Sequence, residues 1–155
     1  MIPASGAIEG GRHMLPLRVY YEDTDAGGIV YHAGYLRFAE RARTEFLRVL
    51  GWEGGRMRDE TGLVWVVRHA EIDFRAPARL DDALIVVTWL VAVTGASIRV
   101  VQSVRRGVAE LVRLRLQLVL LSPSGRPGRI PLALRTALLP FLENQESASD
   151  SCQTH

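Results

Sequence analysis

The stretch from Tyr20 to Tyr35 concentrates the residue types that can do chemistry: Asp23-Thr24-Asp25-Ala26-Gly27-Gly28, then Tyr31-His32. Two aspartates, paired glycines and a histidine stand directly ahead of a segment with helical periodicity. The first turn of a helix carries backbone N–H groups without intrahelical partners and the positive end of the peptide dipole. A carboxylate beside such donors suits chemistry on a carbonyl: one group attacks or takes a proton while the other holds the developing oxyanion. The same residues have a simpler use, because an aspartate before Ala-Gly-Gly also caps a turn.

The elements that must position these groups follow from periodicity. Residues 15–22 read as a first strand, and Gly27-Gly28 break the chain. Over 33–50 the period becomes helical: Tyr35, Phe38, Ala39, Ala42, Phe46, Val49 and Leu50 share one face, Arg37, Arg41, Thr44, Glu45 and Arg48 the other, and Gly51 follows as a stop. Four more strands are predicted at 63–75, 83–93, 97–105 and 109–121, separated by Ala76-Pro77, Thr94-Gly95 and Arg106-Gly107, a hairpin pattern rather than a crossover pattern. In the last strand Val112, Leu114, Leu116, Leu118 and Leu120 alternate with Arg113, Arg115 and Gln117. Residues 83–93 are apolar on both faces, which predicts a central strand covered on both sides. Residues 131–143 read as a short closing helix. The class is α+β, one long central helix wrapped by an antiparallel sheet of about five strands, and this pattern resembles the hotdog fold.

The chain has 155 residues, 48% of them hydrophobic and 23% charged, with a formal net charge of +2. That is one ordinary globular domain. Residues 1–13, rich in Gly, Ala and Ser, are expected to be a flexible leader, 14–143 the folded domain, and 144–155 a disordered polar tail. There is no basic block or zinc-finger spacing, so nucleic acid is not an expected partner. The one cysteine, Cys152, sits in the tail, which excludes an internal disulfide and offers no activating surroundings for a nucleophile. No apolar run has the length of a signal peptide or a transmembrane segment, and the expected location is cytoplasmic.

Tyr21 to Tyr35, together with Glu40-Arg41-Ala42-Arg43-Thr44-Glu45 and Asp73-Phe74-Arg75-Ala76-Pro77-Ala78-Arg79-Leu80-Asp81-Asp82, resembles the acyl-CoA thioesterases of the 4-hydroxybenzoyl-CoA thioesterase superfamily. The match is to the branch associated with the bacterial Tol-Pal system. The resemblance implies hydrolysis of acyl thioesters, with Asp25 as the essential carboxylate, the His32 backbone N–H as the group polarising the carbonyl, and Tyr21 and His32 side chains lining the site. It implies no metal or redox cofactor, coenzyme A as part of the substrate, and homodimers or homotetramers with sites at subunit interfaces. Gly27, Gly28, Tyr31 and His32 are the expected substrate-binding residues, the glycines allowing close approach of the backbone to the thioester. Asp25 can attack the carbonyl to give a mixed anhydride or activate a water, and both routes stay open.

Other candidates have weaker cases. His69, Glu71 and Asp73 alternate on a strand and could offer a metal triad, but a solvated or subunit-contact face explains them as well. Ser97 and Ser103 lack a Gly-x-Ser-x-Gly elbow. Arg99, Arg105, Arg106, Arg113 and Arg115 could attract coenzyme A phosphates or an acidic acyl carrier protein, or simply form a charged outer face. Two rival functions remain: a hotdog hydratase or dehydratase acting on 3-hydroxyacyl chains, and a non-catalytic acyl or acyl-carrier binding module.

Overall fold

A computed structural model describes residues 3–143. The strands are β1 (Ala7–Glu9), β2 (Arg12–Arg18), β3 (Val64–Phe74), β4 (Ala83–Val93), β5 (Ser97–Arg106) and β6 (Ala109–Leu121); the helices are α1 (Gly34–Val49), α2 (Gly54–Thr61) and α3 (Leu132–Leu138). The strands form one sheet in the order β1-β2-β4-β5-β6-β3, antiparallel at every junction. Helix α1 lies across its inner face, over β4 with β2 and β5 to either side. This is the expected hotdog arrangement, with six strands instead of about five.

The additional strand comes from residues expected in the leader. Gly10 and Gly11 both have positive φ, 57° and 73°, the backbone that a tight two-residue hairpin turn requires. They let β1 fold back on β2, and His13 is fully buried there, its Nε2 2.7 Å from the Ser5 carbonyl. The strand expected at 15–22 is accordingly β2, Arg12–Arg18, because Tyr21–Asp23 turns into a single 3-10 turn. The expected tail 144–155, with Cys152, lies outside the described residues.

Helix α1 buries Tyr35, Phe38, Ala39, Ala42 and Phe46, as its periodicity predicts; Val49, at the last position, is exposed. Phe38, only 1% exposed, contributes about 1.5–3 kcal/mol through burial alone. The first half of α1 packs on Leu15, Leu84, Val86, Val104 and Leu114, the second half on Leu90, Ile98, Leu118, α2 and α3. Helix α2 escapes sequence reading because it opens on Gly54-Gly55, poor helix formers. It is stopped by Gly62 at φ 72°, where an added Cβ would lie 2.5 Å from Pro123 Cγ. On the outer face of the sheet, Val87, Trp89 and Val101 are buried, and the Arg12 guanidinium covers the Trp89 ring at 4.1 Å. Arginine stems thus supply the second cover predicted for β4. Among the described residues, no helix is long and apolar enough to cross a membrane.

One buried polar residue ties helix to sheet. Gln102 of β5 is fully buried. Its Nε2 donates to the Ala39 carbonyl at 2.9 Å and to Thr88 Oγ1 at 3.0 Å, and its Oε1 accepts from Arg43 Nη1 at 2.8 Å. Replacing it by leucine keeps the volume but strands the Arg43 and Thr88 groups. Gln102→Leu is expected to lose about 1–3 kcal/mol of stability, read as a lower urea midpoint at unchanged slope.

His13 provides a pH test. Burial pushes its pKa down from 6.5, against the opposing pull of the Ser5 carbonyl and the Glu45 charge. Its Nδ1 and the nearby Glu45 Oε2 are both buried without hydrogen-bond partners. The folded state therefore holds His13 neutral while the unfolded chain takes up a proton below about 6.5, so stability is full above that pH and falls as pH drops through it. The thermal midpoint should decline below about pH 6.5, and His13→Met should flatten that decline.

Candidate active site at the mouth of the long helix

Residues 20–35 fold into a backbone-bonded platform between β2 and α1. Asp23 closes the 3-10 turn by accepting the Tyr20 N–H on Oδ2 at 2.8 Å, and Thr24 Oγ1 donates to the Tyr21 carbonyl at 2.9 Å. Residues 24–30 form a miniature hairpin: Thr24 bridges Val30, the Asp25 N–H donates to the Ile29 carbonyl at 2.9 Å, and the Gly28 N–H donates to the Asp25 carbonyl at 3.0 Å. Gly28 sits at φ 78°, the left-handed position such a three-residue loop needs. The hairpin is pinned sideways to residues 78–80 by Val30 N–H to Ala78 O at 2.9 Å and Leu80 N–H to Gly28 O at 3.1 Å.

The same segment anchors the helix. The Tyr35 hydroxyl, on the first turn of α1, accepts the buried Ala78 N–H at 3.0 Å. The Gly34 N–H donates to the Tyr31 carbonyl at 2.7 Å, and a Cβ at Gly34 would meet Val30 Cγ1 at 3.1 Å. The 76–82 loop is itself held by Asp82. Its carboxyl lies below the usual carboxylate range, first through the Arg79 N–H it accepts and then through the Arg106 guanidinium at 2.7 Å, against the opposing effect of burial.

The expected site residues all fall on this platform. Asp25 is exposed, and its Oδ1 accepts the Gly27 N–H at 2.8 Å; this is the turn-capping bond that the sequence also allowed. Tyr21 is 82% exposed and Tyr31 and His32 are exposed, their two rings 4.2 Å apart. His32 stands one residue before the helix N-cap, Ala33. Among the described residues, its backbone N–H and that of Ala33 donate to no carbonyl, whereas the N–H groups of Tyr31 before them and Gly34 after them are engaged. No hydrogen bond joins Asp25 to His32 or Tyr21 among the described residues; they share the loop and no side-chain contact.

The other candidates separate. His69 Nε2 lies 3.2 Å from Glu71, but Asp73 pairs with Arg115 at 3.1 Å, and no group of three metal-ligating side chains converges among the described residues. Of the five arginines, Arg106, Arg113 and Arg115 pair with Asp82, Glu110 and Asp73, and Arg105 donates to Ser103 Oγ. Burial raises the Glu110 pKa, yet hydrogen bonds from Arg113 and Ser103 and the charges of Arg113 and Arg75 outweigh it and hold the carboxyl below its ordinary value. Only Arg99 of the five has no such partner among the described residues. One feature had no clear sequence signal: a cavity farther along α1, lined by Arg43, Met57 and Trp65 among others.

Three comparisons bear on this geometry. The profile of the thioesterase-like superfamily matches residues 19–138. The acyl-CoA thioesterase YbgC of Haemophilus influenzae is 50% identical over 96 residues, 62% of this chain and 71% of that protein. The acyl-CoA thioester hydrolase YbgC of Escherichia coli O157:H7 is 49% identical over 83 residues, 54% of this chain and 61% of that protein. The crystal structure of a probable thioesterase from Bartonella henselae superposes with a TM-score of 0.75 at 38% identity, covering 77% of this chain and 99% of that one.

Tyr35→Phe keeps the ring and removes the acceptor, leaving the Ala78 N–H buried and unpaired. It should cost about 1–3 kcal/mol in chemical denaturation and speed hydrogen exchange at the Ala78 amide.

Proposed function

Because the chain belongs to the thioesterase-like superfamily, which spans its residues 19–138, we propose that it hydrolyses acyl-CoA thioesters to coenzyme A and a carboxylic acid. Asp25 is the working carboxylate and the His32 backbone N–H the oxyanion donor. The single observation that carries the site assignment is that unspent N–H at the mouth of α1, held in one rigid loop with Asp25. The names of the Haemophilus influenzae and Escherichia coli relatives support the substrate class.

Thioester hydrolysis passes through a tetrahedral oxyanion, and one preorganised donor is worth about 3–4 kcal/mol there. Asp25 then works in one of two ways. Its carboxylate adds to the carbonyl and expels the coenzyme A thiolate, leaving a mixed anhydride that water cleaves; or it takes a proton from a water that attacks directly. Gly27 N–H occupies Oδ1, so Oδ2 is left without a protein donor among the described residues. Tyr21, Tyr31 and the His32 ring border the approach, and Gly27 and Gly28 keep it open. The reaction as written uses no metal or redox cofactor.

The exposure of Asp25 in a single chain fits a site completed by a second copy. Strand β3 is a sheet edge, with Val67 48% and Phe74 54% exposed, and pairing two copies along it would cover both. A homodimer of this kind, a tetramer built from it, a cytoplasmic location, an acyl carrier protein as alternative thioester donor and association with the Tol-Pal system belong to the same proposal.

The bond from Gly27 N–H to Asp25 favours one second reading, in which Asp25 only shapes the turn of an acyl-binding module. Asparagine separates the two, since its Oδ1 can accept the same N–H. Asp25→Asn is expected to leave the circular dichroism spectrum and melting unchanged while thiol release from acyl-CoA falls by about 100- to 10,000-fold. Full activity in that variant would overturn the assignment.

A further inference from the structure

A cavity of about 520 Å³ lies between α1, α2 and the β3 edge, within the size range of small-molecule sites. Its walls are largely apolar, with Phe46, Met57, Val67 and Leu118 among them. One half-buried arginine interrupts this lining. Arg43 makes one hydrogen bond, from Nη1 to Gln102, and no ion pair among the described residues, so most of its guanidinium donors are unspent. Burial disfavours the Arg43 charge, a strain that Glu40 only partly relieves. Donors in such a setting are costly until an acceptor arrives. The charged residues of the lining are two arginines and one glutamate, and the glutamate, Glu40, is exposed.

The cavity and the mouth of α1 lie along the same two elements, β3 and α1. At one end of β3, Phe74 packs edge-on against Tyr35, ring centroids 5.8 Å apart. At the other end, Val64, Trp65 and Val67 line the cavity. On α1, Ala33, Leu36, Glu40, Arg43 and Leu47 follow at three- and four-residue spacing along one flank. From Gly34 to Arg43 the helix rises about 13 Å, and helical side chains lean back toward the N-terminus. An acyl chain of about ten carbons starting at the His32 amide spans that distance.

We propose that this cavity receives the far end of the acyl group and selects chains carrying an acceptor oxygen there, a terminal carboxylate foremost, with Arg43 as its donor. The inference rests on the thioesterase reading for the identity of its ligand. Sebacoyl-CoA and decanoyl-CoA have equal carbon number and differ only in that terminal carboxylate. The wild-type protein should favour sebacoyl-CoA in kcat/KM by about tenfold or more, the scale of one charge-assisted hydrogen bond. Arg43→Met should shrink that ratio, and Arg43→Lys should retain part of it. Equal or better use of decanoyl-CoA by the wild type would overturn the inference and leave the thioesterase reading standing. If neither thioester releases thiol, the thioesterase reading fails, and calorimetric binding of the same two compounds to the wild type decides the cavity: tighter sebacoyl-CoA binding supports it, equal binding sinks it.

Discussion

The buried amide of Gln102 sets where α1 lies on the sheet. An amphipathic helix on an apolar surface could slide by a turn at little cost, because hydrophobic contact is non-directional. Three hydrogen bonds are directional. Gln102 is the cross-strand partner of Thr88 and bonds its hydroxyl, while reaching up to the Ala39 carbonyl and accepting from Arg43. Any other helix position would leave these groups buried and unpaired. The same node keeps the Arg43 guanidinium at the cavity wall when an unrestrained arginine would extend into solvent.

With the axis set, the N-terminal end of α1 has one place to be, and the loop in front of it is built to fit. Tyr35 locks the first turn onto Ala78, and the 24–30 hairpin locks onto residues 78–80. The loop is rigid because its N–H groups are bonded within it, although most of its side chains face solvent. Among the described residues, the His32 and Ala33 N–H groups at the helix entrance are left without a backbone acceptor, already oriented. A donor that need not reorganise is the form of oxyanion stabilisation that contributes most.

The outer surface follows a different rule. Its charges pair locally: Glu110 gathers Arg75 and Arg113, and Asp73 takes Arg115. Arg75, Arg106, Arg113 and Arg115 are therefore spent within the chain and are not a free field for phosphates. The β3 edge carries no paired strand on its outer side among the described residues, and it runs from Phe74, packed on Tyr35 at the helix mouth, to Val64, Trp65 and Val67 at the cavity.

By itself, the sequence determined the local elements: α1, β4 and β6 lie where their periodicities place them, and the Asp25–His32 segment stands at the helix entrance as its glycines and acids require. Such signals are written in neighbouring residues, and local sterics read them. The β1–β2 hairpin hid in a Gly-rich stretch that looked like a leader, and α2 in a Gly-Gly start, because in both cases tertiary burial, of His13 and Met57, overrides weak local propensity. Only the tertiary structure decided that Gln102 orders the helix, that Ala78 meets Tyr35 across 43 positions of sequence, and that Arg43 and Trp65 share one cavity. Those pairings join residues with no local reason to meet; they arise when the sheet curves around α1 and each buried donor must find whatever acceptor the packing brings.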